Sequence, residues 1–275
     1  MTKSNLHINT DLAIKILTGF IRSELNRVGF TRAIIGLSGG IDSALSLALT
    51  TEAIGKENVL AVRMPYKASS QDSLDHAQLC IDKFGVQSRT VPITEMADPL
   101  IALEPKMSKT RQGNIMARCR MIVLYDQSEA FGGLVIGTSN KTEILLGYST
   151  LFGDSASALN PIGDLYKTQV RQLSRAMGVP TEIIDKAPSA DLWSNQTDED
   201  ELGFSYAEVD KLFYLLIDHR YRVEELVDAG FEESFVRKVI KRVRQNQFKR
   251  MMPPIAKVSN RTIGYDFLYL RDWGT

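Results

Sequence analysis

The chain has 275 residues, of which 44% are hydrophobic and 24% are charged, and this composition predicts a globular protein with a substantial core. Lys and Arg together number 33, as do Asp and Glu, so no global electrostatic field favours nucleic acid or an anionic membrane. No apolar run has the length of a signal-peptide core or the roughly 20 residues of a membrane span. We therefore expect a cytoplasmic protein in which any basic site is local.

The two cysteines, Cys80 and Cys119, lie far apart in the sequence and show no CxxC spacing. This separation favours reduced thiols over a disulfide framework. We expect both cysteines to be packing residues.

The first half of the sequence predicts alternating helices and strands. Asn9 can cap a helix whose apolar residues repeat at helical spacing as far as Gly29. An apolar run at 33–37 predicts a buried strand, which is followed by two glycines and a helical stretch at 42–54. The next predicted elements are strand 59–64, helix 73–84, strand 88–93, helix 114–131 and strand 134–137. This order predicts an α/β fold in which a parallel sheet is flanked by helices on both faces.

The C-terminal part is predicted to be more helical. Helices are predicted at 167–177 and 206–217, and the polar stretch 193–201 between them is bounded by Pro188 and Gly203. The charge density of this stretch predicts a mobile loop, which is a candidate lid over a reactive intermediate. With no internal repeat in the sequence, we expect residues 1–275 to form a single domain.

The segment GLSGGIDS at 36–43 has the features of a phosphate-binding loop. Its adjacent glycines let backbone amides approach an anion, the following helix N-terminus adds a favourable dipole, and Ser38 and Ser43 add hydroxyl donors. The segment lacks the spacing and the lysine of a Walker A loop, and it is not a dinucleotide GxGxxG motif. Asp42 would repel phosphate unless a divalent cation intervened, so it indicates Mg²⁺. The alternative is an ordinary strand-to-helix turn in which Asp42 interacts with the helix dipole.

The SGGIDS part of this segment resembles the loop of the N-type PP-loop ATP pyrophosphatases, which include NAD, GMP, asparagine and argininosuccinate synthetases. Further segments resemble NAD synthetases and occur in the same order: GN at 113–114, AR at 117–118, GTSNKTE at 137–143, FGD at 152–154, NP at 160–161, YKTQV at 166–170, APSADL at 187–192 and DEDELG at 198–203. The chain thus resembles the NAD synthetase family over almost its whole length. The resemblance implies a Rossmann-like three-layer fold of the adenine nucleotide alpha-hydrolase type.

The resemblance also implies ATP-dependent amidation of deamido-NAD. In this reaction the nicotinate carboxylate attacks the α-phosphorus of ATP and releases pyrophosphate, and ammonia then displaces AMP from NAD-adenylate to give NAD. None of the histidines, His7, His76 and His219, falls in a matched segment, which disfavours a Ser-His-Asp hydrolase. Catalysis should then depend on positioning and on charge neutralisation at the phosphates.

Individual positions receive roles from the same resemblance. The ATP contacts that it implies are Gly36, Leu37, Ser38, Gly39, Gly40, Ile41, Asp42, Ser43, Arg63, Thr138, Lys167 and Ser189. The implied magnesium ligands are Asp42 and Glu143. The implied contacts to deamido-NAD are Asn114, Arg118, Asp154 and Lys249. Asp42, Lys167 and Asp154 are the candidate catalytic residues, with Lys167 neutralising charge during adenylation and Asp154 lying near the nicotinate. The simpler interpretation of each charged residue is a solvated surface charge or a turn former.

Three positions depart from the family pattern. Leu151 and Ala158 stand where many members have Lys and Asp in contact with deamido-NAD, and Thr110 stands where some members have an aromatic residue. The implied ATP site therefore follows the family pattern more closely than the implied dinucleotide site.

ATP, deamido-NAD and ammonia are the implied partners, with no nucleic acid and no membrane. The resemblance also implies a homodimer, with interface candidates in the first helix and around Arg118. The predicted loop strand begins at residue 33, which leaves no room before it for a glutaminase domain. We therefore expect direct use of ammonia, and a separate glutaminase subunit is the alternative.

Other functions compete with this one. A module that senses an adenine nucleotide without turnover would not need both magnesium carboxylates and Lys167. Another PP-loop amidotransferase or a tRNA thiolase is possible, but the sequence shows no added nucleic-acid domain and no paired catalytic cysteines. Basic residues between 237 and 250 resemble a nucleic-acid patch, yet apolar residues interleave with them at helical spacing. An amphipathic helix with a solvated basic face is the simpler account.

Overall fold

The computed structural model describes residues 6–189, 197–264 and 266–267. Within these residues four strands form one sheet: β1 (Ala33–Gly36), β2 (Val59–Arg63), β3 (Gln87–Thr90) and β4 (Leu134–Ile136). The strands are parallel and lie in the order β3-β2-β1-β4, with Ile34 paired to Leu60 on one side and to Val135 on the other. The predicted parallel sheet is confirmed.

The helices follow the predicted alternation in the first half and dominate the second. In chain order they are α1 (Thr10–Arg27), α2 (Ile41–Ile54), α3 (Gln71–Phe84), α4 (Thr94–Ala102), α5 (Lys109–Phe131), α6 (Lys141–Leu146), α7 (Lys167–Ala176), α8 (Thr181–Asp185), α9 (Asp198–Leu202), α10 (Tyr206–Phe213), α11 (Val223–Asp228) and α12 (Glu233–Gln245). A π turn, Tyr214–Asp218, continues α10. The helix predicted at 206–217 is therefore a regular α-helix only as far as Phe213.

Helices cover both faces of the sheet. Successive strand residues point to opposite faces, so the apolar residues on each face need a layer of helices to bury them. In β1, Ala33 and Ile35 belong to the core that α1, α2 and α7 share, whereas Ile34 belongs to the core on the side of α4 and α5. A further group of buried apolar side chains joins α6 to α10, α11 and α12. The predicted α/β fold with two covered faces and a more helical C-terminal part is confirmed.

Two further predicted boundaries differ from the observed ones by three residues or more. The third strand ends at Thr90 instead of residue 93, although the backbone N of Val91 and of Ile93 still donate to the carbonyls of Arg63 and Pro65 at 2.8 and 2.9 Å. Helix α5 begins at Lys109 instead of residue 114, since the side chain of Ser108 caps it by accepting a hydrogen bond from the backbone N of Arg111.

The mobile loop predicted at 193–201 is wrong in its last part. Residues 190–196 lie outside the described residues, but Thr197 caps α9, and its side chain accepts a hydrogen bond from the backbone N of Asp200. Asp198 is only 5% exposed, because its carboxylate accepts hydrogen bonds from the hydroxyls of Tyr148 and Tyr206, each at 3.1 Å. A charged segment can pack when its carboxylate has such partners. The lid itself stays a prediction.

The basic stretch predicted at 237–250 lies on α12 as far as Gln245, whereas Lys249 and Arg250 lie beyond the helix and donate to backbone carbonyls of residues 144–149. Val236 and Val239 are buried, while Arg237, Lys241 and Arg244 on the same helix are exposed. This division confirms the amphipathic helix with a solvated basic face.

The cysteines have no redox partner in the described ranges. Cys80 and Cys119 are both free and buried, and burial raises the pKa of the Cys80 thiol to about 12. The prediction that both are packing residues is confirmed.

None of the helices among residues 6–189, 197–264 and 266–267 combines the length and the apolar character needed to cross a bilayer. The cytoplasmic location and the single-domain organisation over 1–275 stay predictions.

Candidate active site

A cavity of about 820 Å³ opens beyond the carboxyl ends of β1, β2 and β4. Ligands of open parallel sheets bind at this edge. Most of the predicted site residues line the cavity: Gly36, Leu37, Ser38, Gly40, Ile41, Asp42, Ser43, Arg63, Asn114, Thr138, Glu143, Asp154, Lys167, Ser189 and Lys249. Gly39 and Arg118 are predicted site residues that do not line it.

The predicted phosphate loop connects β1 to α2. Gly40 is the N-cap of α2, and a glycine has no side chain that could accept a hydrogen bond from the first amides of the helix. These donors and the positive end of the helix dipole suit an anion. The hydroxyl of Ser38 accepts from Gly40 N at 3.2 Å, and Ser38 N donates to the hydroxyl of Ser43 at 3.3 Å. The two serines thus hold the shape of the loop.

Gly39 sets the course of the loop backbone. Its φ is +79°, and a Cβ atom at this position would lie 2.2 Å from the carbonyl oxygen of Ser73. A left-handed backbone in such close contact with α3 accepts only glycine. The predicted contact of Gly39 with ATP stays a prediction.

Lys167, the first residue of α7, lies between Asp42 and Glu143. Its Nζ is 2.5 Å from Oδ2 of Asp42 and 3.0 Å from Oε1 of Glu143, and its side chain is only 3% exposed. The same Nζ lies 5.0 Å from the ring centroid of Tyr206, a distance that allows a cation–π contact. The structure therefore brings together three charged residues that the sequence analysis assigned to the phosphate end of the site.

The charges in this cluster depend on one another. Burial alone would lower the pKa of Lys167, but the carboxylates of Asp42 and Glu143 raise it above its ordinary value. Burial raises the pKa of Glu143 to about 7; the charge of Asp42 adds to this shift and Lys167 opposes it. Lys167 is therefore held as an ammonium group, and its charge lets the two carboxylates lie close together.

Asn140 supports the cluster, and the sequence analysis gave it no role. Its Oδ1 accepts from Glu143 N at 2.9 Å, its N donates to Oε2 of Glu143 at 3.4 Å, and its Nδ2 donates to Oδ1 of Asp42 at 2.8 Å. The first two bonds form a capping box at the start of α6. The signal that could have revealed it is the N-x-x-E spacing from Asn140 to Glu143.

Asp210 on α10 is a second supporting residue that the sequence analysis missed. Its carboxylate is fully buried. It accepts from the hydroxyl of Thr142 at 2.6 Å and from the N and Oγ1 of Thr168 at 2.8 and 2.7 Å. Because Thr142 precedes Glu143 and Thr168 follows Lys167, Asp210 ties the starts of α6 and α7 together.

The remaining predicted ATP contacts converge on the cavity from three segments. Arg63 ends β2 and its Nη1 donates to Oε1 of Gln78 at 2.6 Å. Thr138 follows β4, and Ser189 follows α8. Their contacts with ATP stay predictions.

The predicted deamido-NAD residues lie in or against the segment 147–154, of which Asp154 is the last residue. Thr150 donates through its hydroxyl to Oδ1 of Asn114 at 2.9 Å and through its N to Oδ1 of Asp154 at 2.7 Å. Nζ of Lys249 donates to the carbonyls of Gly147 and Ser149 at 2.7 and 2.6 Å. Arg118, which is exposed and outside the cavity, donates to the carbonyl of Leu151 at 3.2 Å. These contacts place the four residues around one segment and leave their role in binding a prediction.

A comparison with protein families decides what kind of protein carries this site. The family model described as NAD synthase matches residues 13–253. The chain belongs to the NAD synthase family. It is accordingly a ligase, and the family resemblance found in the sequence is confirmed.

Relatives in the NAD synthase family match over the full length. The NH(3)-dependent NAD(+) synthetase of Chlorobaculum tepidum is 53% identical over 273 residues, 99% of this chain and 99% of the relative. The protein of the same name from Trichlorobacter lovleyi is 56% identical over 271 residues, 98% of this chain and 99% of the relative.

Two solved structures share the fold. NMN synthetase from Francisella tularensis has a TM-score of 0.81 at 28% identity, covering 91% of this chain and 99% of that one. NH3-dependent NAD synthetase from Campylobacter jejuni has a TM-score of 0.78 at 32% identity, covering 91% of this chain and 100% of that one. The predicted PP-loop α/β fold is thereby confirmed.

Membership of the NAD synthase family agrees with the chemistry at the cavity. A phosphate loop and a buried cation between two carboxylates line it, and no histidine is among the described residues that do so. Such a site suits a reaction in which the protein orients substrates and neutralises phosphate charge.

Proposed function

We propose that the chain amidates the nicotinate carboxylate of deamido-NAD with ammonia and consumes ATP to form NAD, AMP and pyrophosphate. The observation that carries this proposal is the Lys167 ammonium held between Asp42 and Glu143 beside the phosphate loop. The choice of substrates is supported by relatives named NH(3)-dependent NAD(+) synthetases that match over 98–99% of this chain.

The reaction proceeds in two steps. An oxygen of the nicotinate carboxylate attacks the α-phosphorus of ATP, the bond from that phosphorus to the bridging oxygen breaks, and pyrophosphate leaves with the electron pair. Ammonia then attacks the carbonyl carbon of NAD-adenylate, AMP leaves, and the nitrogen loses a proton to give the amide. The substrate supplies the nucleophile, so the loop amides and Lys167 need only hold and neutralise the phosphates.

The donor set at the cluster fits Mg²⁺. This ion is usually held by one or two carboxylates together with substrate phosphates, and Asp42 and Glu143 supply two carboxylates beside the loop. No group of three or more metal-ligating side chains occurs in the described part of the chain. Asp42 and Glu143 would hold the ion, which when bound neutralises phosphate oxygens.

NAD formation tests the proposed function. The purified chain with deamido-NAD, ATP, Mg²⁺ and ammonium is expected to form NAD and pyrophosphate in equal amounts, and neither product without deamido-NAD. Asp42→Ala should lose both products, whereas Asp228→Ala, which changes an exposed residue of α11, should retain them. Tight ATP binding without pyrophosphate release would contradict the proposal and favour a nucleotide-sensing module.

Two further arms of this assay define the substrates. Nicotinate mononucleotide is tested beside deamido-NAD, because one structural relative is named NMN synthetase; preference for the mononucleotide would replace deamido-NAD in the proposal. Glutamine is tested beside ammonium, because the relatives are named NH(3)-dependent. Activity with glutamine and none with ammonium would refute direct use of ammonia.

We also infer that the enzyme is a homodimer. Two helices named as interface candidates in the sequence expose apolar side chains: Leu12 and Ile16 on α1 are 55% and 58% exposed, and Ile122 and Tyr125 on α5 are 53% and 42% exposed. Covering them would remove apolar surface from water. Light scattering should give twice the mass of one chain, and Ile122→Asp should lower that mass. A single-chain mass for the unmodified protein at micromolar concentration would reject the dimer.

A further inference from the structure

Lys186 lies beside the phosphate loop and has no role in the function proposed so far. It follows α8 directly and lines the cavity. Its Nζ donates to the hydroxyl of Ser73 at 3.0 Å. The carbonyl oxygen of Ser73 is the atom that leaves no room for a Cβ on Gly39. Ser73 therefore contacts both the Lys186 ammonium and the phosphate loop.

The charge of Lys186 is not neutralised by a carboxylate in the described ranges. Its recorded partner is the neutral hydroxyl of Ser73. An ammonium group has three N–H donors, and the bond to Ser73 uses only one of them. Lys186 can therefore donate to a further acceptor in the cavity without giving up the contact that positions it.

The charge of Lys167, by contrast, is neutralised by its ion pairs with Asp42 and Glu143. When both carboxyl groups are ionised, Asp42 and Glu143 together outweigh it by one negative unit. A divalent cation added to these carboxylates would leave the cluster one unit positive, whereas ATP carries about four negative charges at neutral pH. The cluster alone therefore does not match the charge of the triphosphate, and further cationic donors are needed near the loop.

We propose that Lys186 contacts the β- and γ-phosphates of ATP and stabilises the departing pyrophosphate. This inference rests on the proposed function. When the bond between the α-phosphorus and its bridging oxygen breaks, the electron pair stays on that oxygen, which becomes part of pyrophosphate. Lys186 donates hydrogen bonds to the oxygens that gain this charge, and no proton is transferred.

A purely structural role for Lys186 makes a different prediction. If Lys186 served only to join the end of α8 to Ser73, then Ser73→Ala would have the same effect as Lys186→Met. If its charge binds phosphate, Ser73→Ala leaves the ammonium in the cavity and should cause a much smaller loss than Lys186→Met. Arginine keeps the charge and the donors, so Lys186→Arg should recover most of the function.

The test measures the steady-state kinetics of deamido-NAD-dependent pyrophosphate release for these variants, with Lys211→Met on the exposed side of α10 as the matched control. Lys186→Met is expected to raise both the KM for ATP and the inhibition constant of pyrophosphate by about tenfold or more, with little change in the KM for deamido-NAD. Lys211→Met should match the unmodified enzyme. Equal losses in Lys186→Met and Ser73→Ala, or an unchanged inhibition constant in Lys186→Met, would overturn the proposal.

A binding measurement separates this inference from the proposed function. Pyrophosphate with Mg²⁺ should raise the melting temperature of the unmodified chain and raise that of Lys186→Met less. If the unmodified chain shows no deamido-NAD-dependent turnover, the proposed function fails, yet the difference in melting shift still reports whether Lys186 binds phosphate. If turnover is normal and the two melting shifts are equal, the role of Lys186 fails alone.

Discussion

Lys167→Met is expected to lower kcat/KM by about a thousandfold or more and the free energy of unfolding by about 3 kcal/mol. Methionine fills a similar volume, so the loss comes from charge. Without the ammonium, Asp42 would lose its opposite charge in a site where Lys167 is only 3% exposed, and Glu143, whose pKa Lys167 holds down, would be neutral at neutral pH. A buried charge whose partner is removed is strongly destabilising.

Urea unfolding and the NAD assay measure the two effects separately. Lys211→Met, on the exposed side of α10, is the matched control and should change neither quantity. The double variant Lys167→Met with Glu143→Gln should regain part of the lost stability, because the amide needs no proton to be neutral beside Asp42, while remaining inactive. Full activity of Lys167→Met after correction for its folded fraction would contradict a role for this ammonium at the phosphates.

Magnesium gives an independent check on the same variant. In the unmodified chain the Lys167 ammonium lies where it partly neutralises the two carboxylates. Its removal should make Asp42 and Glu143 a stronger site for a divalent cation, so Mg²⁺ should raise the melting temperature of Lys167→Met more than that of the unmodified chain. A smaller increase in the variant would show that these carboxylates are not the magnesium ligands.

The phosphate loop and the strand before it could be predicted because the sequence pattern that specifies them lies within a few consecutive residues. An apolar run followed by two glycines is complete within 33–40, and the structure has β1 and the turn there. The position of Gly39 against Ser73 could not be predicted, since Ser73 lies on α3 in another part of the sequence and meets the loop only through tertiary packing. The local sequence pattern therefore predicts the strand and the turn, whereas their contacts with other helices depend on the tertiary fold.

The catalytic cluster shows the same limit more clearly. Asp42 and Lys167 are 125 residues apart in sequence, and no local pattern places them together; the family resemblance did so. Asp198 was predicted to be in a solvated loop because its segment is highly charged. It is buried because Tyr148, 50 residues before it, and Tyr206, at the start of α10, donate hydrogen bonds to it. Composition indicates exposure only where no such partners arrive.

Asp210→Ala has the second largest expected effect, and it acts without contact to any substrate. The carboxylate of Asp210 accepts hydrogen bonds from Thr142 and from Thr168 in a fully buried setting. Alanine would leave these donors without an acceptor and open a cavity, so the free energy of unfolding should fall by about 3 kcal/mol. The starts of α6 and α7 would then be free to separate.

Such a separation should also reduce activity, because these helix starts carry Glu143 and Lys167. A shift of the two charges relative to the phosphate loop is expected to lower kcat by about a hundredfold, with the KM for ATP changed less. Asp210→Asn should be milder in both respects, since an amide oxygen can still accept from Thr168 although its NH₂ group cannot accept from Thr142. Asp228→Ala is the exposed control. If kcat per folded molecule is unchanged in Asp210→Ala, then Asp210 stabilises the C-terminal helices without positioning the catalytic charges.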